Sequence, residues 1–316
     1  MTNLAETLAF SLSITVPIFM VLFLGTFLGK RNAIDQGFIE TGSKLVFNIT
    51  LPALLFINIS QANFQQSTNF KLIGSGIIAS FIIWAALELI AKFYIEDSND
   101  RGVVVQGGFR SNMGIFGLAF CFNAYGNEGI VSASLYLAAL TILANILSII
   151  SLNRASNKDI GISQTIIGII KNPLILAIIA ALPFSYFEVS MPAMVIHTGE
   201  YFANMTLPLA LLCIGASLDL KALRTTLKGA GIAFIAKLAF TPLLAVAITI
   251  MFGFRGMDLG IVLLMSCAPT AAASYVMVRA MGGNAPLAAN IVVLTTLGSL
   301  FTTSIYVFVF SQLNFI

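Results

Sequence analysis

Apolar runs of about 20 residues, separated by short polar breaks, recur along the chain at approximately 7–29, 38–60, 71–92, 102–124, 128–151, 165–187, 194–219, 229–252, 257–279 and 286–310. A helix rises about 1.5 Å per residue, so each run can cross about 30 Å of hydrocarbon; barrel strands are about half as long and alternate strictly. The pattern predicts an all-α membrane protein of about ten transmembrane helices, five in each half. Residues 1–152 form the first five-helix unit, a polar linker at 153–164 carries Arg154, Lys158 and Asp159, and residues 165–316 form the second unit.

The halves echo each other. Asn48-Ile49-Thr50-Leu51-Pro52 returns as Asn204-Met205-Thr206-Leu207-Pro208 at an offset of 156, and Gly126-Asn127 returns as Gly283-Asn284 at an offset of 157. Units with an odd number of spans face opposite ways across a bilayer, so the two five-helix repeats are expected to be inverted, a construction common in secondary transporters.

Composition agrees with this reading. Hydrophobic residues make up 58% of the chain and charged ones 9%, far below the roughly one-quarter charged content of soluble domains. The net charge of +3 comes from scattered Lys and Arg at span ends, which argues against a nucleic-acid surface. With the N-terminus outside, 12 basic residues fall on the cytoplasmic side and 2, Lys71 and Arg255, outside. That asymmetry predicts a multi-pass protein of the cell (inner) membrane with both termini periplasmic or extracellular. The first apolar run lacks a basic n-region and cleavage site and is read as a retained span. Cys121, Cys213 and Cys267 lie in apolar segments as buried thiols, His197 falls in an external connection, and no metal set is expected.

Two segments are interrupted. The fourth contains Gly107-Gly108-Phe109-Arg110-Ser111-Asn112-Met113-Gly114-Ile115-Phe116-Gly117, and the ninth Ser266-Cys267-Ala268-Pro269-Thr270-Ala271-Ala272-Ala273-Ser274. Asn112 and Pro269 each lie about ten residues, or ~15 Å, inside their spans, near the bilayer midplane. A break there must be buried against protein or line a wet cavity. Ser111 or Asn112 is expected to cap the half-helix starting near Met113, and Thr270 the one after Pro269. Half-helix N-termini suit a carboxylate, and the facing carbonyls suit a proton-bearing group or small cation, so H+ or Na+ is a possible coupling ion. The alternative is that Gly114, Gly117 and Ser274 serve helix packing and Pro269 only kinks a helix.

The two Asn-x-Thr-Leu-Pro phrases predict helices bent at Pro52 and Pro208, each with a freed carbonyl bonded by Thr or Asn; Asn48 and Asn204 are also possible substrate or ion contacts. Arg110 and Lys237 lie within spans, where a charge costs at least about 2.5–3.5 kcal/mol, and either attract an anion or snorkel outward. Glu88 stands four residues before Lys92 as a favourable helix pair. No nucleophile with a base, zinc spacing, phosphate loop or dinucleotide fingerprint occurs, so neither an enzyme nor a cofactor is expected.

Leu51-Pro52-Ala53-Leu54-Leu55-Phe56, Phe109-Arg110-Ser111-Asn112-Met113-Gly114, Leu207-Pro208-Leu209-Ala210-Leu211-Leu212, Gly215-Ala216-Ser217-Leu218 and the Ala268-Pro269 break together resemble the auxin efflux carrier family. That family includes bacterial permeases for malate or malonate. The resemblance implies a scaffold of spans one, two, six and seven that often forms a homodimer. It also implies a mobile unit of spans three to five and eight to ten, with the fourth and ninth crossing at the substrate site. Plant members commonly carry proline at both crossing points; the fourth segment here has none, so a softer unwinding is expected. The long cytoplasmic loop of many plant carriers is also missing, which makes auxin a poor substrate guess. Carried over, the site comprises Ser111, Asn112, Met113, Gly114, Pro269, Thr270 and Ser274. The expected function is secondary transport of a small organic anion, with a sodium-coupled symporter of the bile-acid type, or a membrane-embedded ligand sensor, as alternatives.

Overall fold

A computed structural model describes residues 4–62, 69–155, 171–218 and 227–316. Most of the expected linker, the start of the sixth apolar run, and Lys158, Lys221 and Arg224 lie outside the described residues. The helices are α1 (Leu4–Lys30), α2 (Gln36–Ser60), α3 (Phe70–Tyr94), α4 (Ser98–Phe109), α5 (113–125), α6 (127–155), α7 (Pro173–Tyr186), α8 (Ala193–Ser217), α9 (Lys228–Met251), α10 (Gly256–Cys267), α11 (Ala272–Ala280) and α12 (Ala285–Gln312). There is no strand among the described residues, and six stretches are helical, long and apolar enough to cross a membrane. Gly126, at φ 61°, turns the chain from α5 into α6, a conformation that favours glycine.

Polar residues at the breaks start the helices. The carboxylate of Asp35 accepts from the Phe38 amide (2.7 Å), and the side-chain carbonyls of Asn69 and Asn284 accept from Leu72 (3.0 Å) and Leu287 (3.1 Å). The same two asparagines clamp the interrupted spans at their outer ends. Asn69 Nδ2 donates to Asp258 at the start of α10 (3.0 Å), and Asn284 Nδ2 donates to Asp100 at the start of α4 (2.8 Å).

The repeated phrases fold differently from each other and from expectation. Before Pro52 the helix widens over Val46–Thr50, with the Leu51 amide bonded five residues back to Val46. A proline ring strikes the carbonyl four residues back and donates nothing to it, so an extra residue in the preceding turn relieves the clash. Pro242 follows an identical widening over Ala236–Phe240. Pro208 sits inside α8 without one. The hydroxyls do not serve the freed carbonyls: Thr50 Oγ1 is buried without a partner, and Thr206 Oγ1 donates to Phe202 O (3.2 Å). Asn48 Nδ2 reaches Lys44 O instead (2.9 Å).

α1 and α8 touch backbone to backbone. A Cβ on Gly215 would strike the Leu22 carbonyl, and one on Gly25 would strike that of Leu212. Thr26 Oγ1 donates across the contact to Gly215 O (2.9 Å). Small residues make such close approach possible where no hydrophobic effect drives helices together. Gly215→Leu is therefore expected to lower the melting temperature in detergent through overpacking of about 1–3 kcal/mol. Gly74→Ala, which meets nothing within 4 Å in α3, should leave the melting temperature level or slightly raised. Equal melting of the two variants would contradict the α1–α8 packing.

Candidate functional site

α4 ends at Phe109 and α5 begins at Met113; α10 ends at Cys267 and α11 begins at Ala272. The two gaps lie against each other as a short antiparallel pairing of Ser111 with Thr270. The Asn112 amide donates to Pro269 O (2.7 Å), and the Ala271 amide donates to Arg110 O (3.0 Å). Each break thus supplies partners for the other, as buried backbone groups require. The break in the fourth span is as complete as that at Pro269: Arg110 and Asn112 both leave helical geometry, at ψ 96° and 62°. The softer unwinding expected from the missing proline does not occur, because the bridge supplies what an unbroken helix would have lost.

The carbonyl ends are capped by side chains. Thr270 Oγ1 donates to Gly107 O (2.6 Å), Thr241 Oγ1 to Gly108 O (2.8 Å), and Lys237 Nζ to Ser266 O (2.8 Å). The amide ends are not. The expected side-chain caps from Ser111, Asn112 and Thr270 are absent at Met113 and Ala272, because Thr270 is turned to the α4 carbonyl end and the Asn112 backbone is taken up by the bridge. Uncapped first turns leave amides free for another acceptor.

Those amide ends face a cavity of about 430 Å³ lined by Arg110, Ser111, Asn112, Met113, Gly114 and Ala271–Ala273, with α2, α7 and α8 opposite. Among the described residues no carboxylate lines it. Arg110 Nη2 donates to Asn145 Oδ1 (2.7 Å) and Nη1 to Ser148 Oγ (3.4 Å), while Nη1 also meets Met277 Sδ. Lys237 is fully buried and donates to Ser111 Oγ (2.5 Å). Neither cation snorkels, and neither has a carboxylate partner among the described residues.

Of the sequence-derived residues, Ser111, Asn112, Met113, Gly114 and Arg110 come together on the cavity. Pro269 and Thr270 lie behind it in the bridge, and Lys237 reaches it only through Ser111. Ser274 is buried off the cavity with its hydroxyl unpartnered. Gly117 packs on Met265 of α10, whereas a Cβ on Gly114 would find only ordinary contact with Leu51, so packing does not demand glycine at 114. Asn48 stays exposed on α2, and Asn204 and Pro208 line a second cavity of about 780 Å³ with Pro17, Glu128 and Glu200. Glu88 accepts from Ser151 Oγ (2.5 Å) and so joins α3 to α6. His197, exposed, pairs with Glu200 (3.2 Å). All three cysteines are buried and free.

Thr241 was not foreseen. Its signal is the spacing Lys237, Thr241, four residues apart and hence on one face of α9. Thr270→Val should strand the Gly107 carbonyl and cost about 1–3 kcal/mol of stability, and Thr241→Val should do likewise at Gly108. Thr270→Ser should retain wild-type melting in detergent; a Thr270→Val protein melting like wild type would contradict the capping role.

A sequence profile of the family described as membrane transport protein matches residues 10–307. Curated relatives are similar at low identity over much of their length. The uncharacterised transporter YfdV of Escherichia coli K12 is 26% identical over 67% of this chain and 69% of its own length. An uncharacterised transporter of Methanothermobacter thermautotrophicus is 21% identical over 90% of this chain and 93% of its own. With a family match running from the first span into the last, and helices fit to cross a bilayer between, the chain belongs to the membrane transport protein family, the auxin efflux carrier family that its sequence resembles.

Proposed function

We propose that the protein is a secondary transporter for a small organic anion of the carboxylate class, bound where the interrupted spans cross. The observation that carries this reading is the 430 Å³ cavity bounded by two uncapped helix N-termini and Arg110, with no carboxylate among the described residues of its wall. Its volume is within the range of small-molecule sites. A buried cation without a counter-ion is costly, and an incoming anion supplies the missing charge. Donors to a carboxylate are at hand in Ser111, Asn112, the first-turn amides of α5 and the amides of Ala272 and Ala273, the Ser274 amide being bonded to Ala271 O.

Alternating access fits the distribution of space. The 430 Å³ and 780 Å³ cavities both lie between α1, α2, α7 and α8 on one side and the crossing unit on the other. Along α5, Ile115 lines the smaller and Ala119 the larger, while Phe116 and Leu118 between them are fully buried. With both termini outside, the smaller cavity faces the cytoplasm. The two halves are then inverted copies, α1, α2, α7 and α8 are the scaffold through which a homodimer forms, and the remaining helices are the transport unit in the inner membrane.

Reconstituted protein should move a radiolabelled mono- or dicarboxylate across a vesicle membrane. Arg110→Gln and Asn112→Ala should each lower that flux by roughly tenfold or more, as expected for losing a hydrogen bond to a charged group, while remaining folded by size exclusion. Binding without flux would indicate a sensor instead, and normal flux in both variants would reject this site.

A further inference from the structure

Lys237 is not accounted for by a carboxylate pocket, since it is sealed from the cavity. Its place is set by the widened turn Ala236–Phe240, the irregularity that precedes Pro242. There it joins two acceptors from different elements, Ser111 Oγ in the fourth-span break and Ser266 O at the carbonyl end of α10. A void of about 40 Å³ bounded by Ser111, Thr241 and Ser266 lies beside those acceptors, while Ser111 also lines the 430 Å³ cavity. The hydroxyl of Ser111 therefore separates a buried ammonium from the ligand space.

We infer that Lys237 is a built-in cation that fixes the polarity of Ser111 and makes anion binding independent of any metal ion. An ammonium has three donors and no acceptor, so Ser111 Oγ must accept from it. The serine's own hydrogen has only a long contact with Ser266 O, at 3.4 Å, and is free to turn to an acceptor in the cavity. With positive charge directly behind it, Ser111 offers the cavity a strengthened donor and repels a cation. The lysine also neutralises the carbonyl end of α10, where oxygen ligands would otherwise suit a small metal cation. Lys237 is thus a positioning residue: it acts on the ligand through Ser111. This inference rests on the reading of the protein as an anion transporter.

The test uses the full chain in proteoliposomes and in detergent. Wild-type carboxylate flux should be the same when sodium is replaced by choline, and Lys237→Met should lower it by about tenfold or more. Lys237→Ala should regain thermal stability and flux with methylammonium, which fits the vacated space, and neither with tetramethylammonium. A lysine that merely filled space would not give that size-selective rescue by charge. Stabilisation of Lys237→Ala by methylammonium is read without substrate; seen together with absent wild-type carboxylate flux, it would sink the transport reading and retain the role of the lysine. Sodium-dependent wild-type flux, wild-type flux in Lys237→Met, or the same response to both amines would overturn the inference. The sodium comparison needs no variant, so it decides even where the substitutions impair folding.

Discussion

The structure depends on how backbone polar groups are satisfied where water is scarce. A helix cut in mid-membrane frees amides on one side of the cut and carbonyls on the other, each costing several kcal/mol if left bare in hydrocarbon. Two cuts brought together solve part of the problem, through the Asn112–Pro269 and Ala271–Arg110 bonds. What remains is divided by polarity. Carbonyls of α4 and α10 receive Thr270, Thr241 and Lys237, whereas the amide ends of α5 and α11 open on a cavity. This division by polarity places the uncapped amide ends, and not the carbonyl ends, at the cavity.

The charges sharpen the same point. Arg110 and Lys237 sit within the protein among neutral partners, namely Asn145, Ser148, Met277, Ser111 and the Ser266 carbonyl. The larger cavity has a different character. Glu128 and Glu200 line it, and Asn58 and Asn123, also in its wall, each give one amide hydrogen to a backbone carbonyl, Leu54 O (2.7 Å) and Ile14 O (2.9 Å). The two vestibules therefore offer an anion very different surroundings.

Much of this was legible in the sequence because it follows from period, length and interruption. Apolar runs placed most helices to within a few residues, although α7 begins only at Pro173, and a polar Gly-rich stretch together with a proline marked both breaks. The caps were not legible. Which carbonyl Thr270 reaches depends on how α4 and α10 cross, and a local rule assigned it to its own helix when a neighbour 163 residues away held the better acceptor. The proline phrases failed as well: identical Thr-Leu-Pro letters stand after a widened turn in α2 and inside a regular helix in α8, so the local letters do not decide how the proline is accommodated.

The hydrogen bonds also bear on which parts can move together. The bonds that build the crossing, Thr270 to Gly107, Thr241 to Gly108, Lys237 to Ser266 and Arg110 to Asn145, lie among α3–α6 and α9–α12 or the two breaks and tie those helices into one connected set. The opposite wall of the smaller cavity is mostly apolar, with Val46, Phe47, Leu51, Leu174, Ala210 and Ile214. Sliding the polar site along such a wall exchanges one set of weak, non-directional contacts for another. The bonds that resist are at α1, where Ser11 and Thr15 meet Ser304, Gln312 meets Thr7, and Asn123 meets the Ile14 carbonyl. If the two groups of helices shift as the proposed transport requires, the α1 seam must exchange a few hydroxyl and amide bonds, while the bonds that hold the crossing can stay in place.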